Sequence, residues 1–177
     1  MDAQTIDQAR RGNRRAQARI LRAMQDPWYR FCLALLRDPD RARDATQETA
    51  VRVLGRLATW RSDATLETWS FGIALNVVRE MRRADATARR DSVEPLIAGA
   101  GRAGPPDEAL TVSEGAQMLR NALDLLPERQ REAVVLRYFE ELTTEQTARA
   151  MECAPGTVKA TLHQALRSLR QKLRQLA

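Results

Sequence analysis

Thr143 to Leu176 reads TTEQTARAMECAPGTVKATLHQALRSLRQKLRQL, and its spacing predicts two helices joined by a tight turn. Thr143 stands three residues before Gln146, so hydroxyl and amide can each satisfy a free backbone N–H at a helix start. Leu142, Thr147, Ala150 and Met151 form the inward side of this first helix and are small enough for a second helix to cross it closely, as a helix-turn-helix requires. Cys153-Ala154-Pro155-Gly156 separates the two. Pro155 suits a first helical position, where the N–H it lacks would have no partner anyway. Beyond it Val158, Leu162, Leu166, Leu169, Leu173 and Leu176 recur every three or four residues as one apolar stripe. The opposite face carries Thr157, Lys159, Ala160, Thr161, His163, Gln164, Arg167 and Ser168. From Pro155 to Ala177 there are five Lys or Arg and no Asp or Glu. Such a face suits phosphates and base edges, although a helical hairpin with a solvated cationic face fits the same pattern.

The rest of the chain decides between these. Its 177 residues can form one sizeable core or two small ones, and two are expected. The formal net charge is +6, which favours polyanionic partners. It is unevenly spread, with 18 basic and 11 acidic residues in 1–90, 1 and 4 in 91–113, and 10 and 8 in 114–177. Two basic modules flank an acidic spacer. Cys32 and Cys153 are the only cysteines and have no partner at metal-ligand spacing, so neither a disulfide framework nor a zinc site is indicated. No apolar run approaches the length of a signal core or a membrane span. A cytoplasmic protein without cofactor or metal is expected.

Taken in order, residues 4 to 25 predict a short helix and a longer one, broken at Gly12-Asn13. Pro27 then opens a helix containing Trp28, Phe31, Cys32, Leu35 and Leu36. Asp38-Pro39-Asp40 ends that helix, and Asp40 is expected to cap the next. From Arg41 to Leu57 the inward stripe is Ala42, Ala45, Thr49, Val53, Leu54 and Leu57. The outward face holds Arg43, Asp44, Gln47, Glu48, Val51 and Arg52, a pattern that also fits a solvated salt-bridge face. Thr59 to Thr65 interrupts the helical pattern, which resumes along Leu66, Trp69, Ile73, Val77 and Met81. Phe71, Asn76, Arg79, Arg82 and Arg83 lie off that stripe, and Asn and Arg beside a polar loop are the side chains that read bases and hold phosphates. Trp60 and Trp69 read as core aromatics in preference to base-stacking platforms. Residues 84 to 113 collect small and helix-breaking residues and read as a linker. Helical pattern returns over Gly115 to Leu126, and again from Pro127 through Val134, Val135, Leu136, Tyr138 and Phe139. The expected fold is all-α, with four or five helices in the first module and four in the second. His163 is the only histidine and no nucleophile, phosphate-loop or metalloenzyme motif is present, so an enzyme is not expected.

In this order the parts resemble the bacterial sigma-70 family, in its small extracytoplasmic-function (ECF) subgroup. Arg43-Asp44-Ala45-Thr46-Gln47-Glu48 is similar to the family's A-E-D-L-V-Q-E segment. Thr68-Trp69-Ser70-Phe71-Gly72-Ile73-Ala74-Leu75-Asn76 is similar to its W-L-y-r-I-A-r-N. Leu126-Pro127-Glu128-Arg129-Gln130-Arg131-Glu132, Leu136-Arg137-Tyr138-Phe139 and Pro155-Gly156-Thr157-Val158-Lys159 resemble its L-P-e-r-q-R-e, L-r-y-f and G-T-V-k segments. The resemblance implies a sigma-2-like domain over 1–84, a linker over 85–113 and a sigma-4-like helix-turn-helix domain over 114–177.

It also implies a protein that binds core RNA polymerase and promoter DNA. Lys159, Ala160, His163 and Gln164 would face the -35 bases, with Thr157 and Arg167 nearer phosphates. The loop from Arg61 through Ser62 and Asp63 to Thr65 would cradle an extruded -10 base, with Asn76, Arg79, Arg82 and Arg83 beside it. Asp44, Gln47, Glu48 and Arg52 would meet the polymerase. An anti-sigma factor is a further partner the family implies, and the free protein is expected to be a monomer. Ala160, Thr161 and Gln164 stand where the family usually has Ser, Arg and Arg, Ala154 where a capping Ser is common, and Ala45 and Thr46 where apolar residues are usual. These departures imply an unusual -35 sequence, with Gln164 able to pair with adenine. A helix-turn-helix regulator acting without polymerase, or a helical protein adaptor, would share the periodicity but leave the first module unexplained.

Overall fold

The computed structural model describes residues 1–91 and 121–176, and these are helix and turn with no strand. The chain divides into two compact units, Met1–Ala103 and Gly104–Ala177. Among the described residues no helix is long and apolar enough to cross a membrane.

The first unit has four helices, α1 (Ala3–Arg10), α2 (Arg14–Leu36), α3 (Pro39–Arg56) and α4 (Leu66–Asp91), with a 3-10 turn at Leu57–Thr59. The break at Gly12-Asn13 is where the periodicity puts it. Gly12 takes φ 86°, a left-handed conformation that glycine adopts without a Cβ penalty, and the Asn13 side chain accepts from the Ala16 N–H at 3.1 Å to start α2.

Pro27 does not open a separate helix. α2 runs through it, because Ala16, Ile20, Met24, Trp28, Phe31 and Leu35 keep one continuous helical phase across it, all buried. A mid-helix proline costs about 3 kcal/mol, and burying Trp28 and Phe31 completely offsets it at about 1.5–3 kcal/mol each. Arg37 ends α2 in the left-handed region at φ 62°. The cap of α3 is Asp38 and not Asp40. Its carboxylate accepts from the N–H groups of Asp40 and Arg41 at 3.0 and 3.1 Å, since Pro39 fits the first helical position and the capping residue must precede it.

α3 buries small side chains, Ala42, Ala45, Thr46, Thr49 and Val53, so its neighbours approach closely. The Thr46 and Thr49 hydroxyls donate to the carbonyls of Ala42 and Ala45, which satisfies them inside the core. α4 is enclosed by α2 and α3. Its buried residues include Leu66, Ser70, Phe71, Ala74, Leu75, Val77 and Val78, which is more than one stripe. Phe71, read as lying off the core, meets Phe31 edge-on at 5.3 Å between centroids. Beside it, Trp28 Nε1 donates to Ser70 Oγ at 3.1 Å. α4 also continues to Asp91, so 85–91 of the expected linker is helical; the remainder of the linker lies outside the described residues.

In the second unit residues 121–124 are helical, followed by α5 (Glu128–Val134), a π-helical turn at Val135–Phe139, α6 (Thr144–Ala150) and α7 (Pro155–Leu176). The helix expected to reach Phe139 widens after Val134. The Glu140 N–H reaches back five residues to the Val135 carbonyl, and Tyr138 and Phe139 are left about half exposed. Arg131 is buried beneath this turn. Its Nε donates to the Leu123 carbonyl at 3.0 Å, and Nη2 to those of Asp124 and Leu126 at 2.8 and 3.1 Å. One guanidinium thus satisfies three carbonyls at a helix end.

Candidate nucleic-acid interface

In the second unit the site is built from the turn outward. Thr143 Oγ1 accepts from the Gln146 N–H at 3.2 Å, and Gln146 Oε1 accepts from the Thr143 N–H at 2.7 Å, the reciprocal cap the spacing predicts. Thr147, Ala148, Ala150 and Met151 are buried. The chain reverses through Glu152 at φ 54°, and α7 starts at Pro155. Its first N–H groups, those of Thr157 and Val158, donate to the Ala154 carbonyl. Val158, Leu162 and Leu169 face inward as the stripe predicts, and Ala165 is fully buried among them. Thr157, Lys159, Ala160, His163, Gln164 and Arg167 are all exposed together on the other side. The stripe continues past them. An open groove is lined by His163, Arg167, Arg170, Gln171 and Arg174, so Arg170 and Arg174, not assigned by the sequence reading, join the same cationic face. Their spacing of three and four residues beyond Arg167 was the available signal.

The first unit presents a loop. Ser62 has φ 61°, a conformation unusual outside glycine, and Arg61, Ser62 and Asp63 are exposed. Thr65 pins the end of the loop, its hydroxyl accepting from the Thr68 N–H at 3.2 Å and lying 2.9 Å from the Thr68 hydroxyl. Trp60 and Trp69 flank it, 6.3 Å apart between ring centroids and tilted by 41°. Both are half-buried, unlike Trp28, so the expectation of ordinary core aromatics is corrected. They sit at the core's edge because the loop covers only one side of them.

The residues assigned beside the loop do not share one environment. Asn76 and Arg79 are half-buried on α4 and Arg83 is exposed, its Nε donating to the Arg79 carbonyl at 3.3 Å. Arg82 is directed into the protein, donating through Nη2 to the Leu35 carbonyl at 2.6 Å. It satisfies the end of α2, a role its place on a surface-like helix position could not reveal.

On α3, Asp44, Gln47, Glu48 and Val51 are exposed side by side, Val51 at 66%. Arg52 is inward of them. Its guanidinium bonds Glu48 at 2.7 Å and Glu80 of α4 at 2.7 Å. The hydrogen bond from Arg52 holds the Glu80 carboxyl below its usual range, and bonds from Glu80 and Glu48 raise the Arg52 pKa further. The salt-bridge reading and the exposed-surface reading of this face therefore both hold, for different residues.

A chain of two helical units, one ending in a helix-turn-helix and the other carrying a polar loop at the start of an enclosed helix, is matched by two family patterns. Sigma-70 region 2 matches residues 20–87, and sigma-70 region 4 matches residues 116–169. The RNA polymerase sigma-E factor of Streptomyces coelicolor is 32% identical over 153 residues, covering 86% of this chain and 83% of that one. The ECF RNA polymerase sigma factor SigW of Bacillus subtilis is 25% identical over 179 residues, covering 97% and 96%. Among solved structures, the sigma factor RpoE in complex with the anti-sigma factor NepR from Bartonella quintana is similar with TM-score 0.74 at 24% identity, covering 89% and 96%. CnrH in complex with the cytosolic domain of CnrY gives 0.74 at 18% identity, covering 98% and 97%. These two likenesses bear on the fold. The chain belongs to the sigma-70 family, in its ECF subgroup.

Proposed function

We infer that this chain acts as an ECF-type sigma factor in the cytoplasm, binding core RNA polymerase and directing it to promoters for initiation. The observation that carries this reading is the pair of sigma-70 segments in order, region 2 over 20–87 and region 4 over 116–169. It acts by binding and positioning, not as an enzyme.

On this reading Lys159, Ala160, His163 and Gln164 face the bases of a -35 element, while Thr157 and Arg167 hold phosphates. Gln164 offers the amide that pairs with adenine, and Ala160 leaves room for a thymine methyl. Arg61, Ser62 and Asp63 receive an extruded -10 base, with Asn76, Arg79 and Arg83 supporting the strand and Arg82 supporting the helix that carries them. Unstacking a base costs a few kcal/mol, so a loop fixed at Thr65 and flanked by two aromatic rings is suited to receive it. Asp44, Gln47, Glu48 and Val51 present a polar and apolar surface to the polymerase, held by Arg52. An anti-sigma factor is a further proposed partner, consistent with the similar RpoE, which is bound to one. The free protein is proposed to be a monomer.

In vitro transcription tests the proposal. Purified protein added to core polymerase should bind it and initiate at promoters recovered from a randomised pool. Absence of both core binding and initiation would overturn it, and operator binding as a dimer without polymerase would point to a stand-alone regulator.

A further inference from the structure

The first unit carries a charged surface that these roles leave unused. Between Gln8 and Gln25 the chain has six arginines, Arg10, Arg11, Arg14, Arg15, Arg19 and Arg22, and no carboxylate. They occupy the end of α1, the Gly12-Asn13 corner and the first half of α2. All but Arg10 are exposed. Arg11 pairs with Asp7 at 2.9 Å and Arg19 with Asp2 at 3.6 Å, whereas Arg14, Arg15 and Arg22 have no ion-pair partner among the described residues. Helix stability does not account for them. Arg14 and Arg15 stand in the first turn of α2, where the helix dipole disfavours cations, and Arg15, Arg19 and Arg22 repeat like charge at spacings of four and three.

This surface adjoins the loop. α1 packs against the turn Leu57–Thr59, and the Arg10 guanidinium lies 5.9 Å over the Trp60 ring, next to Arg61. The Met1 amino group is 3.8 Å from Glu67, in the first turn of α4. The chemistry of the patch is charge alone. Of the large apolar side chains exposed in the described residues, none lies between Gln8 and Gln25. Protein partners are anchored by apolar and aromatic side chains at the centre of an interface, whereas nucleic-acid backbone is held by Arg and Lys neutralising phosphates.

We propose that the Arg10–Arg22 corner is a DNA-backbone surface, holding the phosphates of the promoter strand that enters the Arg61–Thr65 loop. The inference rests on the reading of that loop as the -10 site. It extends the site from a loop to a track, in which Arg10 joins the cationic corner to the aromatic pair.

The test compares holoenzymes reconstituted with the unchanged protein, with Arg14→Gln, Arg15→Gln and Arg22→Gln combined, and with the same three positions changed to Lys. Promoter affinity is measured across a salt series and core affinity alongside. The Gln variant should bind core equally well, bind promoter more weakly, and show a log-log salt slope shallower by about 2 to 3, at about 0.7–0.9 per phosphate released. The Lys variant should keep the slope. An unchanged slope in an active Gln holoenzyme overturns the proposal, as does a loss confined to core binding, which would assign the corner to the polymerase. If the unchanged protein neither binds core nor initiates, the sigma-factor reading itself falls.

Discussion

The two helices proposed to serve DNA, α7 and α4, differ in how much of their surface the protein uses. α7 gives one stripe to its own unit, Val158, Leu162, Ala165 and Leu169, and leaves Lys159, Gln164 and Arg167 in water. α4 is enclosed, with Phe71, Ala74, Leu75, Val77 and Val78 buried toward different neighbours. Its polar side chains are drawn inward: Arg82 holds a carbonyl of α2, while Glu80 and Asp85 pair with Arg52 and Arg41 of α3. A helix with one free face can present chemistry directly. An enclosed helix presents it through the loop at its start, and spends its arginines on holding neighbours.

The severest challenge to this contrast is Phe31→Ala, which removes the ring packed on Phe71. A buried aromatic cut to alanine costs about 3–5 kcal/mol. Denaturant unfolding followed by hydrogen exchange should show the loss in α2 and α4, with protection of α7 unchanged. Equal loss in both would mean that the units do not fold separately.

Next in size, Arg131→Ala leaves three carbonyls without their charged donor and should destabilise the second unit by about 2–4 kcal/mol in urea unfolding. Arg131→Lys should recover little, because a single ammonium lacks the planar fork that reaches three acceptors. Such a result would show that α7's independence depends on a buried charge elsewhere in its unit.

Gln164→Ala probes the free face. Because Gln164 is exposed, thermal stability should not move, while promoter selection loses discrimination at one -35 position by about 1–3 kcal/mol. Broad loss at every position would indicate a phosphate contact instead.

The smallest effect belongs to Glu80→Gln. The Glu80 carboxyl titrates below its ordinary 4.5 in the folded chain, so its ion pair with Arg52 stabilises fully above that value and is lost as pH falls through the lower folded one. Glu80 is 47% exposed in its side chain, and solvent screening keeps the difference within about 1 kcal/mol. The gap between the two proteins should close below pH 4.5. A gap that stays constant with pH would assign the effect to packing.

Much of the second unit was legible because its signals are local. The Thr143–Gln146 cap, Pro155 at a helix start and the leucine spacing of α7 each involve residues within a few positions of one another. Arg131 was not legible as a core residue, since nothing in its neighbourhood announces that three carbonyls need a donor. In the first unit Pro27 misled, because its local cost was read without the burial of Trp28 and Phe31 that outweighs it. Phe71 misled because a single stripe was drawn on a helix that is packed on several sides. Trp60 and Trp69 were read as wholly internal, yet the loop beside them covers one side only.

By itself the sequence determined the all-α class, the two modules and the exposed face of α7, because helical periodicity and capping are set by neighbours along the chain. Only the tertiary structure decided that α2 passes through Pro27, that Arg82 and Arg131 face inward, and that the Arg10–Arg22 corner borders the loop at Arg61. Those facts depend on which distant carbonyl, ring or carboxylate comes within a few ångströms, and spacing along one helix carries no record of that.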